Sequence, residues 1–148
     1  MGFRIFVDAE VLLDFTLKRR TYPAVRQLME WAVNGRVRLF LTAALVRDVG
    51  LALSAAYGLT RSKEVLLALL AEVQLIDAGY ETTVNALHSK MEDIPAALSY
   101  YTALHHRLDY YITRDVELAK TAHPVLPVCT PEEFLQFNGV ETRRQKVN

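Results

Sequence analysis

The chain has 148 residues, 51% of them hydrophobic, with 17 basic and 17 acidic side chains. That length predicts one domain with a substantial core, and the zero net charge excludes a global basic field for nucleic acid while allowing a local acidic pocket with a basic rim. A lone cysteine, Cys129, excludes an internal disulfide, no apolar run reaches membrane-span length, and Asp8 interrupts the N-terminus before a signal-peptide core develops, so a cytoplasmic protein without membrane contact is expected.

A short β-prone run, Arg4 to Val7, ends at Asp8. "TYPAVRQLMEWAVNG" then predicts a helix. Pro23 sits in its first turn, Val25, Leu28, Met29 and Ala32 form its apolar stripe, and Asn34-Gly35 supplies a left-handed stop. Val37 to Leu41 is a second strand. Thr42 caps a helix that Gly58 ends, a further helix starts near Ser62, and Val73 to Ile76 is a third strand. Helices are expected from Tyr80 to Ser89 and from Ile94 to about His106, followed by the strand "DYYIT", the helical turn "VELAK" and the extended piece "PVLPV". Thr130, Pro131 and Glu133 spell a capping box at the last helix. From Gly139 the chain is polar, which sets a domain at 1–138 and a tail at 139–148.

Short apolar strands alternating with amphipathic helices predict an α/β fold, a short, mainly parallel sheet with helices on both faces. In such folds the functional crevice lies beyond the carboxyl ends of the strands. Asp8 and Asp115 stand where strands stop, and Glu10 follows closely. Acids there either cap helices and solubilise turns, or converge on a metal. Asp48 lies inside an apolar helical stripe with Leu45, Val49 and Ala52, where a carboxylate needs a partner; an ion pair and a ligand role both fit. Clustered carboxylates suit Mg²⁺ or Mn²⁺, which prefer oxygen ligands and serve phosphodiester hydrolysis.

Other residues carry less chemistry. Lys18, Arg19 and Arg20 near the Asp8 mouth, with Arg36 and Arg38, can touch phosphates or form solvated surface; Arg114 can neutralise the acids or meet a phosphate. His105 and His106 are adjacent and cannot share a helical face as a zinc pair does. Tyr100, Tyr101, Tyr110 and Tyr111 are expected to pack between helix and sheet rather than stack on bases.

The order of these pieces resembles the PIN domain family. "IFVDAEVLLDF" looks like its opening strand and first acid, "NGRVRLFLTAALVRDVGLAL" like its second strand and acid-bearing helix, "LSYYTALHHRLDYYITRDVELAK" like its late helix, strand and Thr-Arg-Asp segment, and "LPVCTPEEFLQF" like its closing strand and helix. The resemblance covers about Phe3 to Phe137. It implies an α/β/α sandwich, Mg²⁺ or Mn²⁺, cleavage of RNA, an antitoxin partner in the toxin-type members, and a homodimer. By position, Asp8, Asp48 and Asp115 would be the catalytic acids and metal ligands, with Lys18, Arg19 and Arg114 as RNA contacts. Two departures stand out. Glu10 replaces the usual Asn. In "DIPAA", Asp93 falls on a helix-capping Asp and Ala96 falls where the family carries a further acid. Either Glu10, Glu92 or Asp93 substitutes, or metal binds more weakly, or the domain is catalytically inactive and binds RNA or a protein partner.

Overall fold

The computed structural model describes residues 2–147, with side chains described to Gly139. Five strands form one parallel sheet in the order β3-β2-β1-β4-β5: β1 Phe3–Val7, β2 Val37–Leu41, β3 Val73–Leu75, β4 Tyr110–Ile112 and β5 Val128–Cys129. The helices are α1 Ala9–Thr16, α2 Tyr22–Val33, α3 Ala43–Tyr57, α4 Leu59–Leu70, α5 Tyr80–His88, α6 Ile94–His105, α7 Val116–Lys120 and α8 Pro131–Val147. The architecture is α/β, with helices flanking the sheet. Among the described residues no helix is long and apolar enough to cross a membrane.

Strand alternation sorts side chains onto the two faces. On one, Phe6 stacks on Tyr111 at 4.8 Å, and Tyr111 meets Tyr100 of α6 at 5.4 Å. On the other, Tyr110 meets Phe134 of α8 edge to face at 5.1 Å, with Trp31 of α2 6.0 Å from the same ring. Ile5, Phe6, Val7, Tyr111 and Ile112 are buried from solvent, so β1 and β4 form the centre of the core.

Helix boundaries follow their caps. The Thr42 hydroxyl accepts from the Leu45 N–H, and Thr130 and Glu133 make the reciprocal capping box, each bond 3.1 Å. Gly58, at φ +80°, ends α3 and begins α4 in a conformation L side chains rarely adopt, so α4 starts at Leu59 rather than near Ser62. The Ser62 hydroxyl donates back to the Gly58 carbonyl inside the first turn of α4. Two further differences from the sequence expectation have physical causes. Asp8, read as a strand end, also caps α1, a helix absent from the sequence reading. "PVLPV" is mostly turn: strand β5 takes only its last residue, Val128, together with Cys129, and its two prolines lack the N–H a ladder requires. The backbone of α8 continues through Gly139 to Val147; the side chains of the expected polar tail lie outside the described residues.

Candidate active site

β1 and β4 are central neighbours with Val7 opposite Ile112. The next residues along, Asp8 and Thr113, therefore emerge side by side at the carboxyl edge. The Asp8 N–H donates to the Ile112 carbonyl at 3.0 Å, continuing the ladder by one step. The connection from β1 leads to β2 on one side, while β4 lies on the other, so this edge is a topological switch point where crevices form.

Thr113 joins two acids. Its hydroxyl donates to Asp8 Oδ2 at 2.9 Å and accepts from the Asp115 N–H at 3.1 Å. Asp8 Oδ1 accepts from the Ala9 N–H at 2.8 Å, capping α1. Asp115 caps α7, and both cap bonds go to Oδ1. Asp93 caps α6 through Oδ1 on the Ala96 N–H. Capping thus occupies one oxygen of Asp93 and of Asp115. A cap and a ligand are compatible roles for these residues.

Burial is the leading influence on Asp8 and pushes its carboxyl pKa up. The Thr113 and Ala9 hydrogen bonds oppose this, and the negative charges of Glu10 and Asp115 reinforce it. Asp93 and Asp115 line one crevice of about 370 Å³, with Glu92 and Glu117 beside them and Lys90 and Lys120 at its edge. On β4, two residues before Thr113, the Tyr111 phenol is fully buried, and its hydroxyl makes no hydrogen bond of good geometry. A larger groove of about 600 Å³ runs between α1, α2 and α4, but it is lined mainly by apolar groups such as Phe15, Met29 and Leu69 and lies away from Asp8 and Asp115. Asp93 and Asp115 make the smaller crevice the candidate site, and Asp8 stands outside its lining.

Residues 4–117 match the PIN domain. The chain belongs to the PIN domain family. No curated protein sequence matches it significantly. Among solved structures, it is similar to VapBC2 of Rickettsia felis bound to a DNA fragment from its promoter, with 11% identity and a TM-score of 0.68 over 86% of this chain and 98% of that one. A toxin–antitoxin complex from Klebsiella pneumoniae gives 20% identity and 0.60 over 86% and 97%, and PAE2754 of Pyrobaculum aerophilum gives 16% and 0.64 over 95% and 98%. At these identities the likeness is one of fold.

Within this PIN fold the sequence candidates separate. Thr113 links the Asp8 carboxylate to the Asp115 backbone N–H, and Asp93 shares the crevice with Asp115. Asp48 lies outside the crevice lining. Its carboxylate is 44% exposed and meets Arg47 at 3.5 Å. Glu10 pairs with Arg19 at 2.8 Å while still acting on Asp8. Lys18 is exposed at φ 52°, the left-handed position that closes α1. Arg114 is not turned out toward a ligand: Nε donates to Asp14 at 2.5 Å, and Nη1 and Nη2 grip Glu132 at 2.9 and 3.0 Å. Among the described residues, no group of three or more His, Cys, Asp or Glu is arranged to hold a metal.

Sequence reasoning missed Thr113, whose role depends on strand register, and Lys90 and Lys120 at the crevice edge. It also missed Asp14. Like Asp48, Asp14 in "EVLLDF" is an acid within an apolar helical run, and it is only 4% exposed.

Proposed function

We propose that this PIN domain is a Mg²⁺- or Mn²⁺-dependent endoribonuclease of the toxin type, partnered by an antitoxin and acting as a homodimer. The observation that carries the reading is Asp8. It is a partly buried carboxylate at the switch point, held by a hydroxyl and an N–H, with further acids as its charged neighbours. The donor set is all oxygen, as a hard divalent cation requires. Asp8 and Asp115 would hold the cation. Asp93 lines one crevice with Asp115 and would supply the carboxylate that Ala96 lacks, with Glu10 and Asp48 as outer acids. When bound, the cation would neutralise the crowded carboxylates and polarise a phosphodiester. Thr113 fixes the orientation of Asp8, and Lys90 and Lys120 would meet backbone phosphates, as would Lys18 and Arg19 at the outer rim.

The test is Mn²⁺ titration and RNA cleavage, wild type against Asp8→Asn. Mn²⁺ at roughly 100 times its dissociation constant should stabilise the wild type by about 2.7 kcal/mol and support cleavage, while the variant gains neither. A wild type whose melting temperature ignores Mn²⁺ would sink the reading. Light scattering that finds a monomer removes the homodimer from it.

A second reading has its own observation: α6 opens with Asp93 as cap and Ala96 in its first turn, where a nuclease would gain from another acid. On that reading the domain binds RNA or a protein without cutting. Wild type and Asp8→Asn would then be equally silent, and Ala96→Asp is expected to raise Mn²⁺ affinity by about tenfold, the contribution of one added supporting carboxylate. If Ala96→Asp leaves Mn²⁺ affinity unchanged, the missing acid is not the reason for silence.

A further inference from the structure

The arginines of this chain differ in their partners. Arg19, Arg26, Arg47 and Arg114 each meet a carboxylate. Arg4, Arg38 and Arg107 meet none among the described residues, and these three stand close together. Arg4 on β1 is opposite Arg38 on β2, on the face that also carries Phe6 and Phe40. Both guanidinium groups lie over the buried Phe40 ring, 5.1 and 5.6 Å from its centre. Arg4 Nη1 donates to the His106 carbonyl at 3.2 Å, and Arg107 follows that residue and is exposed. Arg38 Nη2 donates to Gln74 Oε1 of β3 at 3.2 Å. The neighbouring Asp109 carboxylate takes the Arg4 backbone N–H at 2.7 Å and makes no ion pair with these guanidinium groups.

Like charges on neighbouring strands repel. A carbonyl, an amide and an aromatic ring orient a guanidinium without neutralising it. The result is a set of positioned cations whose planar forks match phosphate oxygens. Asp93 stands at the opposite end of α6, where it lines the acid crevice with Glu92, Asp115 and Glu117. α6 has 12 residues, so its two ends are on the order of 18 Å apart. Acids in the crevice repel a polyanion, which therefore needs cations farther along its backbone. A single RNA strand carries a charge at every phosphate and is long enough to reach both ends of α6.

We propose that Arg4, Arg38 and Arg107 form a phosphate-contact surface for single-stranded RNA at the far end of α6 from the acid crevice. The inference rests on the RNA part of the reading above and is independent of the metal.

The experiment measures binding of a short, fluorescein-labelled single-stranded RNA by anisotropy. EDTA is present to prevent cleavage, and the salt concentration is varied. Wild type is compared with Arg38→Gln and Arg107→Gln, and with Arg26→Gln on α2 as a control. Arg38 and Arg107 are exposed, so both variants are expected to fold. Each should bind about fivefold more weakly and lower the slope of log affinity against log salt by about 0.7, the share of one phosphate contact. Arg26→Gln should change neither quantity. If affinity and slope stay unchanged in both test variants, the proposal is overturned and RNA binding elsewhere is spared. A wild type that binds no RNA overturns both. Inorganic phosphate or polyglutamate that displaces the RNA at equal charge concentration overturns RNA as the occupant. Should Arg38→Gln fail to fold, Arg38→Lys and Arg107→Gln decide: a retained slope in the first with a reduced slope in the second supports the surface, and an unchanged slope in Arg107→Gln overturns it.

Discussion

Two of the carboxylates on the short helix α1 meet opposite fates. Asp14, in its last turn, is buried and lies against cations: Arg114 Nε at 2.5 Å and Arg19 Nη1 at 3.7 Å. Asp8, at its cap, is held only by the Thr113 hydroxyl and the Ala9 N–H, and the charges around it are those of other acids. The first arrangement is complete as it stands. Arg114 grips Asp14 on one side and Glu132 bidentately on the other, tying α1 to the start of α8. In the second, the Thr113 and Ala9 hydrogen bonds only partly offset burial and the neighbouring negative charges. A partly buried acid whose pKa is raised beside other acids is a candidate for a functional site.

Substitutions that remove one charge at a time sharpen the contrast. Asp14→Asn should have the largest effect, because it leaves Arg114, whose side chain is only 27% exposed, with half its partners. A loss of about 2–3 kcal/mol is expected, short of the full cost of an orphaned buried charge because Glu132 remains. That is about 5–10 °C in melting temperature for a domain of this length. Asp8→Asn should go the other way. Asn caps a helix as well as Asp does, and the substitution removes a charge that burial and Glu10 disfavour, so a rise of about 2–4 °C is expected in metal-free protein at neutral pH. The sign with pH follows from the raised pKa. The wild type gains stability from protonating Asp8, fully below its ordinary 3.8, and loses it as pH rises through the folded value. The advantage of Asp8→Asn should therefore be greatest at neutral pH and fade on acidification. If both substitutions destabilise alike at neutral pH, the two acids are not different in kind.

The contrast was only half visible in the sequence. Strand ends and caps are local features, so Asp8, Thr42, Asp93 and Thr130 could be read from neighbours a few residues away, and the parallel sheet followed from the alternation of apolar strands with helices. Asp14 and Arg114 form a pair across 100 positions of sequence, and nothing local marks such a contact. Arg114 was accordingly read beside Asp115, its sequence neighbour, as a neutralising or phosphate-binding group; in the fold its cation goes to Asp14 and Glu132. Thr113 was invisible for the same reason, since its bond to Asp8 depends on Val7 standing opposite Ile112. α1 escapes a sequence reading because Asp8 ends the strand pattern and the helix after it is only eight residues long, too short for a clear periodicity.

The smallest expected effect tests the outer half of the Asp14 cluster. Burial alone would raise the Glu132 pKa, but its bonds and attraction to Arg114 outweigh this and hold it below the usual range. A depressed pKa contributes stability that is full above the ordinary 4.5 and is lost as pH falls through the folded value, the reverse of Asp8. Glu132 is 48% exposed against 6% for Asp14, so solvent screens most of the attraction. Glu132→Gln should cost only about 0.5 kcal/mol at neutral pH, and that cost should vanish on acidification. Differential scanning calorimetry across pH would then show one acid whose removal helps and another whose removal slightly harms, both differences closing as the pH falls. Asp8 and Glu132 share no partner, so the Asp8→Asn and Glu132→Gln effects should add. If Glu132→Gln costs as much as Asp14→Asn, Arg114 is anchored chiefly from α8, and Asp14 resembles Asp8 as a buried charge without a firm partner.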